Sequence, residues 1–159
     1  MSAQVRPATP ADLAALVELE NTVFSGDRFS RRQLWHLLNR ANAHTLVAED
    51  ASGVLGYGTL LMRRGSKTAR LYSLGIAPRA RGGGLGRRLL EALAADGQAL
   101  GCTWLSLEVR ADNRIALGMY RRFGFRLDSW LDDYYEDGCA AWRMRKALVA
   151  QEPKSSLAC

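Results

Sequence analysis

The stretch Arg79-Ala80-Arg81-Gly82-Gly83-Gly84-Leu85-Gly86-Arg87-Arg88-Leu89-Leu90 decides how this chain folds. An apolar run, Leu71 to Ala77, precedes it and reads as a strand. A helical apolar pattern follows it and continues to Leu100. A strand that turns through glycines into a helix N-terminus is an anion cradle. The first helical N–H groups have no intrahelical partner, and the helix dipole there favours negative charge. Glycines at 82, 83, 84 and 86 keep side chains from covering that backbone. The rival reading is a glycine-rich turn that holds nothing.

Outward from this loop the order of elements is mixed α/β. Gln4 to Pro7 is a short strand. Thr9-Pro10-Ala11-Asp12 starts a helix, with Thr as N-cap, Pro at the first position and an acid three residues on. Leu13, Leu16, Val17 and Val23 or Phe24 give it an apolar face. Ser30-Arg31-Arg32-Gln33 is a second capping box, followed by Leu34, Leu37, Leu38 and Ala41. Strands follow at His44 to Asp50, Val54 to Met62 and Thr68 to Ala77, with Ala51-Ser52-Gly53 and Arg63 to Lys67 as turns. Beyond the loop, Leu85, Leu89, Leu90 and Leu93 face inward, and Gly101 stops the helix. Thr103 to Val109 alternates, with Leu105, Leu107 and Val109 opposite Trp104, Ser106 and Glu108. Asn113 caps a helix carrying Ala116, Leu117 and Tyr120 and ended by Gly124. Phe125 to Leu131 and Cys139 to Leu148 are the last strands.

Composition narrows the class. The chain has 159 residues, 48% of them apolar, which suits one domain over residues 1–149. Residues 150–159 form a polar tail without periodicity, expected to be disordered. No run approaches the ~20 apolar residues of a membrane span, and Met1 to Thr9 lacks a signal peptide's apolar region. Cys102, Cys139 and Cys159 are scattered without metal spacing, which implies reduced thiols in a cytoplasmic protein. With two histidines, His36 and His44, no metal site is expected. The net charge is +6; Lys occupies only 67, 146 and 154, so the other basic residues are Arg. Their one local concentration surrounds the glycine loop, where bidentate Arg suits phosphate. The absence of an aromatic-basic motif argues against nucleic acid.

The type of cradle can be narrowed. A Walker A loop needs a Lys after its glycines, and none is present. A dinucleotide fingerprint from Gly82 or Gly84 ends on Arg87 or Leu89 instead of Gly. Arg81, Gly84 and Gly86 fit Q/R-x-x-G-x-G/A, the acyl-CoA pyrophosphate loop of the GNAT N-acetyltransferase superfamily, which this segment resembles. Leu107-Glu108-Val109-Arg110-Ala111-Asp112-Asn113, Leu117-Gly118-Met119-Tyr120 and Phe123-Gly124-Phe125 resemble a second block of that superfamily. The likeness extends from Gln4 to Leu148. It implies a mostly antiparallel central sheet, splayed at the CoA site, with helices on both faces. Leu-Glu-Val-Arg-Ala-x-Asn at 107–113 and the pair Tyr134-Tyr135 resemble the ribosomal-protein N-terminal-alanine acetyltransferases. Gly75, Gly82-Gly83 and the short apolar ending of the last strand depart from that subgroup.

The resemblance implies acetyl-CoA as co-substrate and direct transfer of acetyl to an amine. Leu74, Ile76, Ala77, Arg81, Gly82, Gly83, Gly84, Leu85, Gly86, Arg87, Asn113 and Tyr120 then form the cofactor side, and the Ile76 N–H polarises the thioester carbonyl. Tyr120 is the candidate general acid for the departing thiolate; alternatively it packs with Leu117 and Phe123. Glu108 is the candidate general base, directly or through water; alternatively it faces solvent and pairs with an arginine. Asp128, Asp132, Asp133, Glu136 and Asp137 around Tyr134-Tyr135 either draw a basic acceptor or form a solvated loop. The acceptor expected is a protein N-terminal α-amine. A small-molecule amine acetyltransferase and a non-catalytic CoA-binding regulator remain alternatives, for a monomer or a homodimer.

Overall fold

The computed structural model describes residues 3–24, 28–40 and 42–148. The tail at 150–159 lies outside them, and so does Ala41. Among the described residues the strands are β1 (Gln4–Pro7), β2 (Ala43–Asp50), β3 (Gly53–Met62), β4 (Thr68–Ile76), β5 (Trp104–Arg110), β6 (Arg126–Leu131) and β7 (Ala141–Ala147). They form one sheet in the order β1-β2-β3-β4-β5-β7-β6. Neighbouring strands run antiparallel except β4 and β5, which are parallel. The helices are α1 (Leu13–Val23), α2 (Arg31–Asn39), α3 (Leu85–Ala99) and α4 (Arg114–Phe123). The mixed α/β expectation holds, with strand ends differing from the sequence reading by at most two residues.

Local chemistry explains the boundaries. Ser30 Oγ accepts the Gln33 N–H at 3.2 Å, and the Ser30 N–H donates to Gln33 Oε1 at 2.8 Å, closing the expected capping box of α2. The start of the first helix differs from expectation. Pro10–Asp12 is a 3₁₀ turn, and α1 begins after it. Asp12 is held there by the Thr9 N–H at 2.8 Å and by two N–H groups of Arg6 at 3.0 and 2.9 Å. Asn113 Oδ1 accepts the Ala116 N–H at 3.1 Å and so caps α4. Gly124, at φ 112°, closes its other end.

The sheet divides two apolar clusters. On one face α1 and α2 set Leu16, Leu19, Leu34 and Leu37 against Val47 and Tyr57. On the other, α3 sets Leu85, Leu89, Leu90 and Leu93 against Leu60, Leu71, Leu105, Leu107 and Met144, with α4 packed alongside. The four α3 leucines are the ones the periodicity selected. On α1 the apolar stripe missed Leu19, 5% exposed, and Glu20, 1% exposed.

Two strand glycines let α3 approach. A Cβ at Gly56 would lie 3.3 Å from Leu89 Cδ1 of α3, besides 2.7 Å from Ile76 Cδ1 and 2.9 Å from the Gly75 carbonyl oxygen of β4; one at Gly58 would lie 2.6 Å from Leu93 Cδ1. Strand glycines cost up to about 1 kcal/mol each. Burying Leu89 and Leu93 returns about 1.5–3 kcal/mol apiece, so close approach wins. Gly56→Ala is therefore expected to cost about 1–3 kcal/mol through overpacking against backbone. Gly83→Ala, where an added Cβ meets nothing within 4 Å, should leave stability unchanged. Calorimetric melting of both variants checks the contrast; equal melting temperatures would remove the packing argument.

Candidate active site

The site begins where pairing stops. β4 and β5 pair only through Thr68↔Trp104, Ala69↔Leu105 and Arg70↔Ser106. Beyond these the strands diverge. Tyr72 is an extra residue in β4, since Thr59 faces Ser73 while Leu60 faces Leu71. The Ala77 N–H donates to Leu55 O at 2.8 Å, which makes Gly56↔Ile76 a non-hydrogen-bonded pair. The N–H groups of Ile76 and Leu74 therefore point away from β3, into the gap. Ala77, expected beside the cofactor, has its own N–H committed to β3.

A cavity of about 740 Å³ fills this gap. Arg70 to Leu74 wall it from β4, and Leu107 to Arg110 from β5. Glu20, Val23, Phe24 and Phe29 close one side, Asn113 and Tyr120 another, and Tyr134 to Asp137 form a rim. The cavity passes through the plane of the sheet. Tyr120 packs in the α3/α4 cluster with Leu107 and Val109, whereas Glu108 alternates with those residues onto the α1/α2 face.

Glu108 is clamped. Arg70 Nε donates to its Oε1 at 2.8 Å and Arg143 Nε to its Oε2 at 3.0 Å. Its side chain is only 7% exposed. Hydrogen bonds to charged groups contribute about 1.5–3 kcal/mol each, so this carboxylate is rigidly oriented. The solvent-facing alternative is half right: the arginines are there, but the carboxylate lines the cavity.

Arg110 organises the rim. It donates to Asp137 Oδ2 at 2.6 Å and to Asp112 Oδ1 at 3.2 Å, and its guanidinium lies 5.0 Å from the Tyr135 ring centre. Arg70 also donates to the Tyr134 hydroxyl at 3.2 Å. Trp130 Nε1 donates to Asp132 at 2.7 Å. Two acids of the expected acidic cluster thus hold the connection between β6 and β7 in place.

Tyr120 stands edge-on to Phe125, ring centres 5.6 Å apart. Burial raises its phenol well above the usual tyrosine value, with a lesser contribution from Tyr135. It keeps its proton at neutral pH. The packing alternative and the cavity position are both realised.

Sequence reading missed Glu20. Its Oε2 accepts the Tyr57 hydroxyl at 2.5 Å and its Oε1 the Phe29 N–H at 2.7 Å. Desolvation raises its carboxyl above the ordinary value, against the two hydrogen bonds and a weaker pull from Arg28. One acid inside an apolar helical stripe, at Glu20, was the available signal. The arginine clamp had none, because Arg70 and Arg143 meet Glu108 only through sheet pairing.

The glycine loop lies outside the cavity, at the N-terminus of α3. Gly82 and Gly84 have φ of 88° and 81°, and a Cβ at 82, 83 or 84 would meet nothing within 4 Å. The first hydrogen bond of the α3 ladder is Arg88 N–H to Gly84 O, leaving the N–H groups of Leu85, Gly86 and Arg87 outside it. This open, donor-rich turn fits a pyrophosphate. A Cβ at Gly86 would lie at ordinary contact distance, 3.4 Å, from Met119 Sδ. Arg81 folds back, Nε donating to Ile76 O at 3.1 Å, and Arg87 donates to Glu91 at 3.3 Å. The structure brings Leu74, Glu108, Asn113 and Tyr120 to the cavity, while Ile76 and the loop residues are not among its lining.

Comparison with known proteins identifies the family. The acetyltransferase (GNAT) family matches residues 12–125. The N-alpha-acetyltransferase RimI of Mycobacterium tuberculosis is 32% identical, over 92% of this chain and 96% of its own length. An uncharacterized protein of Mycobacterium leprae is 33% identical over 87% of this chain, which spans only 39% of that longer relative. The crystal structure of the ribosomal-protein-S18-alanine N-acetyltransferase from Escherichia coli superposes with a TM-score of 0.84. It is 22% identical and covers 94% of this chain and 96% of its own. The chain belongs to the GNAT family and is an acetyl-CoA-dependent N-acetyltransferase.

Acetyl-CoA at about 100 times its Kd is expected to stabilise the fold by about 2.7 kcal/mol. Gly84→Val places a branched side chain at φ 81° on the open face of the turn. It should abolish that stabilisation in a thermal-shift titration. An undiminished shift in the variant would refute the loop as the pyrophosphate site.

Proposed function

We propose that this enzyme acetylates the α-amine of a protein or peptide N-terminus, in the cytoplasm. The observation that carries the reading is a cavity piercing the sheet, with a phenol on one face and carboxylates on the other. Likeness over nearly the whole length to a relative named as an N-alpha-acetyltransferase supports the acceptor class. Tyr134 and Tyr135 on the rim offer stacking surfaces to a peptide's first residues. No helix among the described residues is long and apolar enough to cross a membrane.

Bound acetyl-CoA supplies the thioester whose acetyl group is transferred. The loop Gly82-Gly83-Gly84, with the N–H groups of Leu85 to Arg87, holds its pyrophosphate. Asn113 borders the thioester end. The Ile76 N–H, aimed into the gap, polarises the carbonyl. Tyr120 protonates the leaving thiolate; the burial that raises its phenol raises a thiolate's basicity there too, so the transfer stays feasible. Glu108 has a guanidinium on each oxygen and takes a proton from the acceptor nitrogen through a water. The α-amine suits so modest a base, titrating near 8 where lysine titrates near 10.4.

Tyr120→Phe should keep acetyl-CoA affinity and lose turnover by about ten- to ten-thousand-fold. Unchanged turnover in steady-state thiol release would leave Tyr120 a packing residue. The acceptor class is read from two peptides, one with a free N-terminus and no lysine, the other N-terminally blocked with one lysine. Acetylation of the first alone is expected. Acetylation of the second alone, or of spermidine and neither peptide, would replace the reading.

A further inference from the structure

Glu20 has no role in the reaction as described so far, yet it lines the cavity while 1% exposed. Both of its hydrogen bonds come from neutral donors, the Tyr57 hydroxyl and the Phe29 N–H. Among the described residues it has no salt bridge, whereas Glu108 on the same face has two. A buried carboxylate without a paired cation is costly. Next to Tyr57, on β4, stands a second buried polar group. Ser73 Oγ is buried, lines the same cavity and lacks a hydrogen bond of acceptable geometry. Phe29 stacks on Tyr72 at 5.0 Å beside them, adding apolar wall. The groups acting on Glu20 are Tyr57 from β3, the Phe29 N–H and Arg28 from the segment after α1, and Ser73 and Tyr72 of β4 line the same cavity. Along the wall Arg70 and Glu108 neutralise one another.

A buried carboxylate without a paired cation, beside a buried hydroxyl, defines a site for a cation with several N–H donors. We propose that Glu20, assisted by Ser73, receives the acceptor's ammonium and takes its first proton. The inference rests on the acceptor being an amine. An ammonium must lose two protons on the way to an amide, and the cavity wall carries two carboxylates. Glu20 takes the first: R–NH3⁺ becomes R–NH2 as the carboxylate becomes a carboxylic acid. The nitrogen lone pair then forms the N–C bond at the thioester carbonyl. The C–S bond breaks, its electron pair leaves on sulfur, and Tyr120 protonates it. The second N–H proton passes through water to Glu108, then returns to the Tyr120 phenolate. Glu20 releases its proton to solvent, and the sum is amine cation plus thioester giving amide, thiol and one proton. The raised affinity of the buried carboxyl for a proton fits this duty. The geometry agrees, since Glu20 and Glu108 share the α1/α2 face and Tyr120 the other.

The test compares wild type with Glu20→Gln, which keeps the shape: its amide oxygen can still accept the Phe29 N–H, and its NH2 can donate to the Tyr57 hydroxyl oxygen. Acetyl-CoA stabilisation is expected to be equal in the two. With a lysine-free hexapeptide beginning with Ala, kcat/KM of the variant should fall about 30- to 1,000-fold near pH 7. It should recover towards about pH 9, where the peptide α-amine, titrating near 8, arrives unprotonated. The same peptide, present as its ammonium near pH 6 with CoA in place of acetyl-CoA, should bind the variant at least about tenfold more weakly than wild type. A folded variant with unchanged kcat/KM, pH profile and peptide affinity overturns the proposal. Should Glu20→Gln lack a cooperative melt, Ser73→Ala decides: KM for the peptide is expected to rise about tenfold with kcat retained, and an unchanged KM overturns it. Failure of the peptide reading is separate. If wild type ignores the peptide but acetylates spermidine, the same comparison is made with spermidine.

Discussion

The parallel pairing of β4 with β5 lasts three residues, and everything functional depends on its ending there. A continued ladder would pair the N–H groups of Leu74 and Ile76 with β5 and close the cavity. What parts the strands is distributed. The extra residue at Tyr72 bends β4, Arg70 and Glu108 bridge the strands near the fork, and Tyr120 with Phe125 packs beyond it. Backbone polar groups left unpaired inside a protein are costly unless a ligand meets them. The fork is therefore stable as a binding feature rather than as a packing defect.

Much of this was readable from residues close in sequence. The loop from Arg79 to Leu90 carries its own signals, turn glycines followed by leucines at helical spacing, and α3 forms where they place it. Alternation in β5 put Glu108 opposite Leu107, and Asn113 announced α4. What stayed hidden depends on partners far along the chain. Gly56 and Gly58 look like weak points in a strand until α3 lies on them. Glu108 meets Arg70 and Arg143 across separations of 38 and 35 residues, which no local pattern encodes. Glu20 was overlooked because an acid near an apolar stripe ordinarily faces water. The helix start at Thr9 was misplaced because a cap followed by Pro suits a 3₁₀ turn as well as an α-helix.

The arginines, read as one class from composition, divide by position. Arg88 reaches the Ala3 carbonyl at 2.7 Å, and Arg79 the Ser52 hydroxyl at 2.9 Å, tying the glycine loop's surroundings to distant turns. Arg70 and Arg143 fix a carboxylate in the cavity, and Arg110 fixes the rim. A planar guanidinium with several N–H donors serves two partners at once, as Arg110 does, which a lysine ammonium does less rigidly.

In the proposed site the donor half is made almost wholly of main chain: glycine turns, the start of α3 and two strand N–H groups. The proposed acceptor half is made of side chains, Glu20, Arg70, Tyr72, Ser73, Arg110 and Tyr134. Substitution acts unevenly on such an arrangement. Main-chain donors survive most exchanges of the residues that carry them, while every exchange in the acceptor wall rewrites its shape or charge. A lineage carrying this fold can therefore drift from one amine to another while the acyl donor stays the same.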